Sequence, residues 1–304
     1  MGVFLLPRLI SEGTKILTMG EKLTIAVQKS GRLQEDSLRI LKECGISIDN
    51  GKDQLKANAS NFPLEVLYLR NSDIPQYVQD GVADIAIVGE NVIIEKQKEL
   101  EILQKLGFSK CRLAMALPKD VEYTGLEYFN GKKLATSYPN SLQQFLDANN
   151  LDSEIHVISG SVEIAPNIGL ADGICDLVSS GSTLFKNGLV EVEEVLVSEA
   201  CLVANKNISN LKSAILERLL FRMRSVLAAK NNKYILLNAP NDKIDDIIEV
   251  LPGMKSPTVL PLAQEGWSSI HSVINENDFW GVIDQLKLNG AEGILIIPIQ
   301  KMVL

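Results

Sequence analysis

The stretch EIAPNIGLADGICDLVSSGSTL, Glu163 to Leu184, sets the organisation of the 304-residue chain. Its first half reads as a helix that turns at Gly169. An apolar strand, Ile174–Val178, follows and runs into five small residues, Ser179-Ser180-Gly181-Ser182-Thr183. Thr183-Leu184-Phe185 then reads as the first turn of another helix. Such a turn leaves successive backbone N–H groups without a helical partner, and they can converge on an anion. Ser180, Ser182 and Thr183 add hydroxyls around Gly181, a set that suits a phosphate monoester. Glu163 and Asp176 lie upstream, and carboxylates are natural acceptors for paired sugar hydroxyls. Phosphate donors at one end and hydroxyl acceptors at the other describe a groove for a phosphorylated ribose. Taken alone, SSGST also fits an ordinary strand-to-helix turn.

Working outward, strand and helix alternate from Lys22. Leu23–Val27 is a short apolar strand, and Gln28-Lys29-Ser30-Gly31-Arg32 turns into a helix over Leu33–Cys44. Leu64–Leu69 is a strand, Asp73–Gln79 a helix with an early proline, and Ile85–Val88 a strand aliphatic enough to be buried on both faces. These features predict an open, mostly parallel sheet with crossover helices. A second unit starts near Cys111, with strands at Arg112–Leu117, Leu134–Thr136, Ile155–Ile158 and Ile174–Val178. A helix over Leu142–Asn149 starts from Asn140 as its cap. Val195–Asn205 is again strand-like and Leu211–Lys230 a long helix. Two α/β lobes crossed more than once by the chain make a hinged bilobal body, with ligands at the strand C-termini.

The last seventy-odd residues change rhythm. Tyr234–Asn238, Thr258–Ala263, Trp267–Ile274 and Gly293–Ile299 read as strands. Asn241–Leu251, capped by Asn241, and Asp278–Asn289 read as helices. That order, βαββαβ, is the ferredoxin-like plan. The unit carries no catalytic pattern, which points to ligand sensing or to assembly and packing alone.

Composition bounds the chemistry. A net charge of −8 argues against a nucleic-acid partner, whose phosphates need a basic face. An anionic substrate must then be held by a local cluster of donors. Cys44, Cys111, Cys175 and Cys201 form no CxxC pair, the pattern of buried reduced thiols in a cytosolic protein. His156 and His271 are too few for a relay or a histidine-rich metal site. The opening MGVFLLPRLISEGTKILT has an apolar run too short for a membrane anchor or signal peptide, and it is expected to matter little.

Other residues are open to two readings. Lys29 and Arg32, beside free N–H groups in one turn, would hold a polyphosphate or simply be solvated. Tyr138 precedes Pro139 and a helix start, where a rigid aromatic could cover a purine ring or pack in a loop. Arg112 is a ligand contact or a strut between lobes, and Asp84 is a turn residue or a ligand contact. No serine–histidine–carboxylate pattern, metal-ligand cluster or Walker lysine loop occurs in the sequence.

The stretch Glu163–Leu184 resembles the signature of the ATP phosphoribosyltransferases over many positions: Glu163, Gly169, Ala171, Ile174, Asp176, Leu177, Ser180-Gly181 and Thr183-Leu184. QKSGRL (Gln28–Leu33), GVADIAIVGEN (Gly81–Asn91), CRLAMALP (Cys111–Pro118) and GKKLATSYPN (Gly131–Asn140) resemble the same family. The resemblance runs from about Leu23 to the C-terminus and includes a tail of the family's long form. It implies a periplasmic-binding-protein-like catalytic body with a ferredoxin-like regulatory domain. The expected divisions are a leader, 1–21; lobe I, 22–110 plus about 196–230; lobe II, 111–195; and the regulatory domain, 231–304.

The implied activity is that of a cytoplasmic pentosyltransferase, in which N1 of ATP attacks C1 of phosphoribosyl pyrophosphate. Mg2+ would ride on the substrate pyrophosphate with no dedicated protein cage. Ser180, Gly181, Ser182 and Thr183 would hold the ribose 5-phosphate, with Glu163 and Asp176 on the ribose hydroxyls. Lys29, Arg32, Asp84 and Tyr138 would bind ATP, with Lys29, Arg32 and Asp176 positioning the reacting groups. Asn238, Ser256 and Thr258 would receive the effector L-histidine, and the partners would be further copies of the chain, from dimer to hexamer. The rival is a non-catalytic bilobal small-molecule-binding or effector module. Such a protein normally carries a secretion signal or a DNA-binding head and needs no Glu163–Asp176–Thr183 constellation.

Overall fold

A computed structural model of the chain describes residues 21–49, 54–251, 253 and 256–303. The leader expectation, apart from Glu21, therefore lies outside the described residues. The chain divides into two compact units. One runs to Leu216 without Glu43–Gly45, and the other comprises Glu217–Leu304 with Glu43–Gly45.

The first unit holds two sheets. The first contains β1 (Leu23–Gln28), β2 (Lys56–Asn58), β3 (Leu64–Leu69), β4 (Ile85–Gly89) and β5 (Glu101–Lys105), interleaved with α1 (Arg32–Glu43), α2 (Ile74–Gln79) and α3 (Glu90–Lys96). The chain then builds β6 (Cys111–Pro118), β7 (Lys133–Thr136), α4 (Pro139–Ala148), β8 (Glu154–Val157), β9 (Gly173–Val178), α5 (Ser182–Lys186) and β10 (Leu189–Ser198). It returns to the first sheet as β11 (Ala200–Ala204) and continues into α6 (Asn210–Lys230). The strand orders are β2-β3-β1-β4-β11-β5 and β10-β6-β9-β7-β8.

Neither sheet is mostly parallel, contrary to expectation. In the first, β1 runs parallel to β3 and β4, while β2, β11 and β5 pair antiparallel. In the second, only β9, β7 and β8 are parallel. The returning chain is one reason, since β11 enters between β4 and β5 from the other lobe and runs against both. For the same reason Val195–Asn205 is not one strand. It breaks at Glu199, where the chain leaves one sheet for the other. The crossings pair with each other: Leu106 N–H donates to the Ala200 carbonyl (2.9 Å) and Ala200 N–H to that of Phe108 (3.0 Å). Ile85, Ala86, Ile87 and Val88 are all 0% exposed, as their unbroken aliphatic run requires.

Local departures have local causes. The segment after Glu163 forms two 3-10 turns, Val162–Ile164 and Pro166–Ile168, because Pro166 opens a new turn and Gly169 (φ +72°) closes it. Asn140 is not the cap of α4; that position is Tyr138. Asn241 opens a 3-10 turn, Asn241–Lys243, and its Oδ1 accepts from Ser268 Oγ at 2.7 Å.

In the second unit β12 (Asn232–Pro240), α7 (Ile244–Val250), β13 (Thr258–Pro261), β14 (Trp267–Asn275), α8 (Glu276–Leu288) and β15 (Glu292–Pro298) follow α6. The antiparallel order β13-β14-β12-β15 is the ferredoxin-like arrangement. One face carries Ile235, Leu237, Ile270 and Ile274, packed with Ile247, Phe279 and Leu286 from the helices. All four cysteines are free, and burial raises each thiol, Cys44 to about 12 and Cys201 to about 11.

Candidate functional site

In the second sheet β7, β8 and β9 run parallel, so the segments that follow them open along one edge. After β7 comes Tyr138, after β8 the turn with Glu163, and after β9 the loop Ser179–Gly181 that starts α5. Parallel strands thus bring together residues scattered over more than forty positions. Among them, Glu163, Asp176 and the whole run Leu177–Leu184 line a cavity of about 180 Å³, and Tyr138 is not part of that lining.

The loop is built to leave donors open. Gly181 takes a left-handed φ of +74°, which glycine adopts without a Cβ penalty. It occupies the cap position of α5 and offers no side-chain acceptor to the first turn. Ser180 Oγ and Ser182 Oγ lie 3.1 Å apart, so both hydroxyls face the same space. Leu184 is buried and pins the turn to the lobe core, while Ser179, Ser180, Ser182 and Thr183 are exposed.

The carboxylates differ in their surroundings. Asp176 sits in β9 opposite Ala114 and accepts the Leu177 N–H at 2.8 Å. Burial, above all, holds its carboxyl above the usual range; the Leu177 N–H pulls down and the Glu163 charge pushes up. Two acids side by side with no Lys or Arg among the lining residues form an acceptor surface for hydroxyls. No group of three or more His, Cys, Asp or Glu able to hold a metal ion occurs among the described residues. Two carboxylates facing one cavity are oxygen ligands of the kind a hard divalent cation takes.

Tyr138 is half-buried and packs with the second sheet's core. Its N–H donates to Thr136 Oγ1 at 2.9 Å. Burial, then the charge of Asp176, pushes its hydroxyl pKa up. Lys29 and Arg32 lie on the other sheet, in the exposed turn between β1 and α1, where Gly31 takes φ +90° and Lys29 N–H donates to the Leu69 carbonyl at 2.8 Å. That bond sets the turn beside the end of β3, so Arg70, the residue after β3, which sequence reading does not single out, joins the same edge.

Asp84 is not brought to this group. It precedes β4, at the opposite edge from the turn after β1. Its carboxylate takes the Thr24 N–H at 2.7 Å and Lys212 Nζ at 2.9 Å on both oxygens. Arg112 is a strut within one lobe, bound through two guanidinium nitrogens to Glu191, its Nη2 at 2.6 Å.

On the C-terminal sheet Asn238 pairs in register with Ser269, and Thr258 with His271. All four lie on the face turned away from α7 and α8. There Tyr234 Oη and His271 Nδ1 are 2.7 Å apart and His271 Nε2 and Ser269 Oγ 3.0 Å apart. Ser256 is exposed, two residues before β13.

Two family models match the chain. One described as "HisG: ATP phosphoribosyltransferase" matches residues 70–225, and one described as "HisG, C-terminal domain" matches residues 229–301. The chain is 58% identical over 282 residues to an ATP phosphoribosyltransferase of Bacteroides fragilis, covering 93% of this chain and all of that one. It is 57% identical over 285 residues to that of Cytophaga hutchinsonii, covering 94% of this chain and again all of the relative. Among solved structures it is similar to the "ATP phosphoribosyl transferase (HisG:HisZ) complex from Thermotoga maritima", with a TM-score of 0.57 and 28% identity. That match covers 66% of this chain and 98% of the other.

Proposed function

This chain belongs to the ATP phosphoribosyltransferase family, and on that premise we propose how its own residues divide the work of the family's reaction. The enzyme transfers the 5-phosphoribosyl group of phosphoribosyl pyrophosphate to N1 of ATP, giving phosphoribosyl-ATP and pyrophosphate, the first step of L-histidine biosynthesis. One observation carries the assignment of roles: a single cavity gathers Glu163, Asp176 and Ser180–Thr183.

The ribose 5-phosphate sits against the hydroxyls and open N–H groups of Ser180–Thr183. Glu163 and Asp176 accept from the ribose hydroxyls, which fixes the ring and presents C1. Positive charge that develops at C1 as pyrophosphate departs is favoured by two nearby carboxylates. Lys29 and Arg32, with Arg70, neutralise pyrophosphate or triphosphate, and Tyr138 borders the adenine. Adenine N1 carries no proton in ATP, so attack needs alignment and no general base. Asp84 has no part in this assignment, since its oxygens are engaged at the far edge of the sheet. Glu163 and Asp176 are the side chains that would face a Mg2+ ion brought in with the substrate, and the ion would supply charge neutralisation to the leaving group. Incubating the chain with ATP, phosphoribosyl pyrophosphate and Mg2+ tests the reading. Phosphoribosyl-ATP and pyrophosphate appear in equal amounts, and product formed without the metal ion would remove it from the scheme.

The C-terminal unit senses L-histidine, bound near Asn238, Ser256 and Thr258. Support comes from their place on or just before one sheet face, beside the Tyr234–His271–Ser269 chain. The exposed Leu260, Leu295 and Ile297 on the same face support assembly of further copies through it, from dimer to hexamer. A cytoplasmic location suits a biosynthetic enzyme of this family. No helix among the described residues is long and apolar enough to cross a membrane. Calorimetric titration gives saturable histidine binding to the intact chain. Thr258→Val weakens it about tenfold, the loss of one hydrogen bond to a charged group. Undiminished binding removes Thr258 from the site.

A further inference from the structure

Helix α3 joins the two lobes at both of its ends. At its start Asn91 N–H donates to Ser198 Oγ at 3.0 Å, and that hydroxyl donates to Asn91 Oδ1 at 2.9 Å. Ser198 is the last residue of β10, where the chain leaves the second sheet. Near its end lies Glu95, only 7% exposed. Its carboxylate accepts Ser141 N–H at 2.9 Å, Ser141 Oγ at 2.8 Å and Asn140 N–H at 3.2 Å. Asn140 Nδ2 donates to the Glu95 carbonyl at 2.9 Å.

These bonds complete the start of α4. Its cap residue, Tyr138, offers no side-chain acceptor, and its first residue, Pro139, has no N–H. The next two donors are Asn140 and Ser141, and one carboxylate takes both. Caps are ordinarily local, whereas this one comes from 45 residues away and from the other lobe. Tyr138 is thereby held between Thr136 Oγ1 and a turn anchored to α3.

We propose that Glu95 is a positioning residue for the ATP side of the reaction: its buried carboxylate fixes the start of α4 and, through it, Tyr138. The proposal rests on the reading that Tyr138 borders the adenine. It goes beyond that reading by assigning the orientation of the ring to a side chain of the opposite lobe. The phosphoribosyl cavity hangs on β8 and β9 and does not depend on this bond set.

Steady-state kinetics of the full chain, with each substrate varied in turn, tests it. Glu95→Ala raises the Michaelis constant for ATP by roughly tenfold or more, because two N–H groups and a hydroxyl lose a charged acceptor. The constant for phosphoribosyl pyrophosphate stays within about twofold. Glu95→Gln keeps one acceptor oxygen and falls between wild type and Glu95→Ala. Should Glu95→Ala not fold, Ser141→Ala carries the same test, with a smaller rise confined to ATP. Equal rises for both substrates, or a lowered melting temperature with unchanged constants, make Glu95 a purely structural cap and overturn the proposal. Tyr138→Ala separates the underlying reading: an unchanged constant for ATP in that variant removes Tyr138 from the adenine site, whatever Glu95 does.

Discussion

Gly181→Val raises the Michaelis constant for phosphoribosyl pyrophosphate about a hundredfold, close to 2.7 kcal/mol at 1.36 kcal/mol per decade, and leaves that for ATP nearly unchanged. Gly181 sits at φ +74°, where a β-branched residue is poorly tolerated, a cost of roughly 1–2 kcal/mol. Apart from its chain neighbours, no described residue comes within 4 Å of the position a Cβ would take, so the added Cβ meets no obstacle of its own. The penalty falls instead on the loop and on what approaches it. The loop must twist to relieve φ, which turns the open N–H groups of the next turn away from the phosphate. A side chain then also stands on the cavity wall. Thr183→Ala isolates the hydroxyl and costs roughly 1.5–3 kcal/mol, a hydrogen bond to a charged group. Substrate-by-substrate kinetics measures both. An unchanged constant for phosphoribosyl pyrophosphate in Gly181→Val moves the 5-phosphate off this loop.

The second large effect pairs lost turnover with gained stability. Asp176→Asn lowers kcat by about ten- to a hundredfold, because an amide places a donor where a ribose hydroxyl needs an acceptor and misaligns C1. The pH–rate profile keeps its limbs, since no proton is transferred through Asp176. Loss of a limb would instead make Asp176 a general base.

Stability moves the other way. Burial holds the Asp176 pKa in the folded chain above its free value. Folding therefore favours the protonated acid. That contribution is complete below the free pKa, near 3.9, and is lost as pH rises through the folded value. At neutral pH the ionised side chain is a desolvated charge that opposes folding. Asparagine removes it, so Asp176→Asn melts above wild type at pH 7 and the gap closes toward pH 3. A variant less stable than wild type at pH 7 contradicts the burial account. The wild-type enzyme then keeps a carboxylate that its fold would rather lose, a trade common at functional sites.

Much of this was legible in the chain because the relevant signals are local. Ile85–Val88 reads as a buried strand from four aliphatic residues alone. The SSGST turn is legible because small residues and hydroxyls crowd the end of a strand. The tail's βαββαβ order follows from its punctuation by Pro252-Gly253 and Gln264-Glu265-Gly266. What escaped depends on partners distant in sequence. β2 and β5 are short, largely exposed edge strands, KAN and EILQK, with no clear alternation to mark them. β11 looks continuous with β10 because the crossing at Glu199 leaves no trace in hydrophobicity. Glu95 sits in ENVIIEK, a segment with no cap or turn signal of its own, and its meaning lies 45 residues away at α4. Asn140 and Asn241 have the right chemistry for caps, yet an acceptor from elsewhere serves the first helix start and Ser268 engages the second side chain. Arg112 reads equally as ligand contact or strut in sequence, because its partner Glu191 lies 79 residues away.

The most direct test of the central assignment is a crystal structure of the full chain with phosphoribosyl pyrophosphate and Mg2+ bound. The expected result puts the 5-phosphate oxygens within hydrogen-bonding distance of the Ser180–Thr183 hydroxyls and N–H groups, with Glu163 and Asp176 on the ribose hydroxyls. A 5-phosphate seated against Lys29 and Arg32, with the Ser180–Thr183 loop empty, contradicts it.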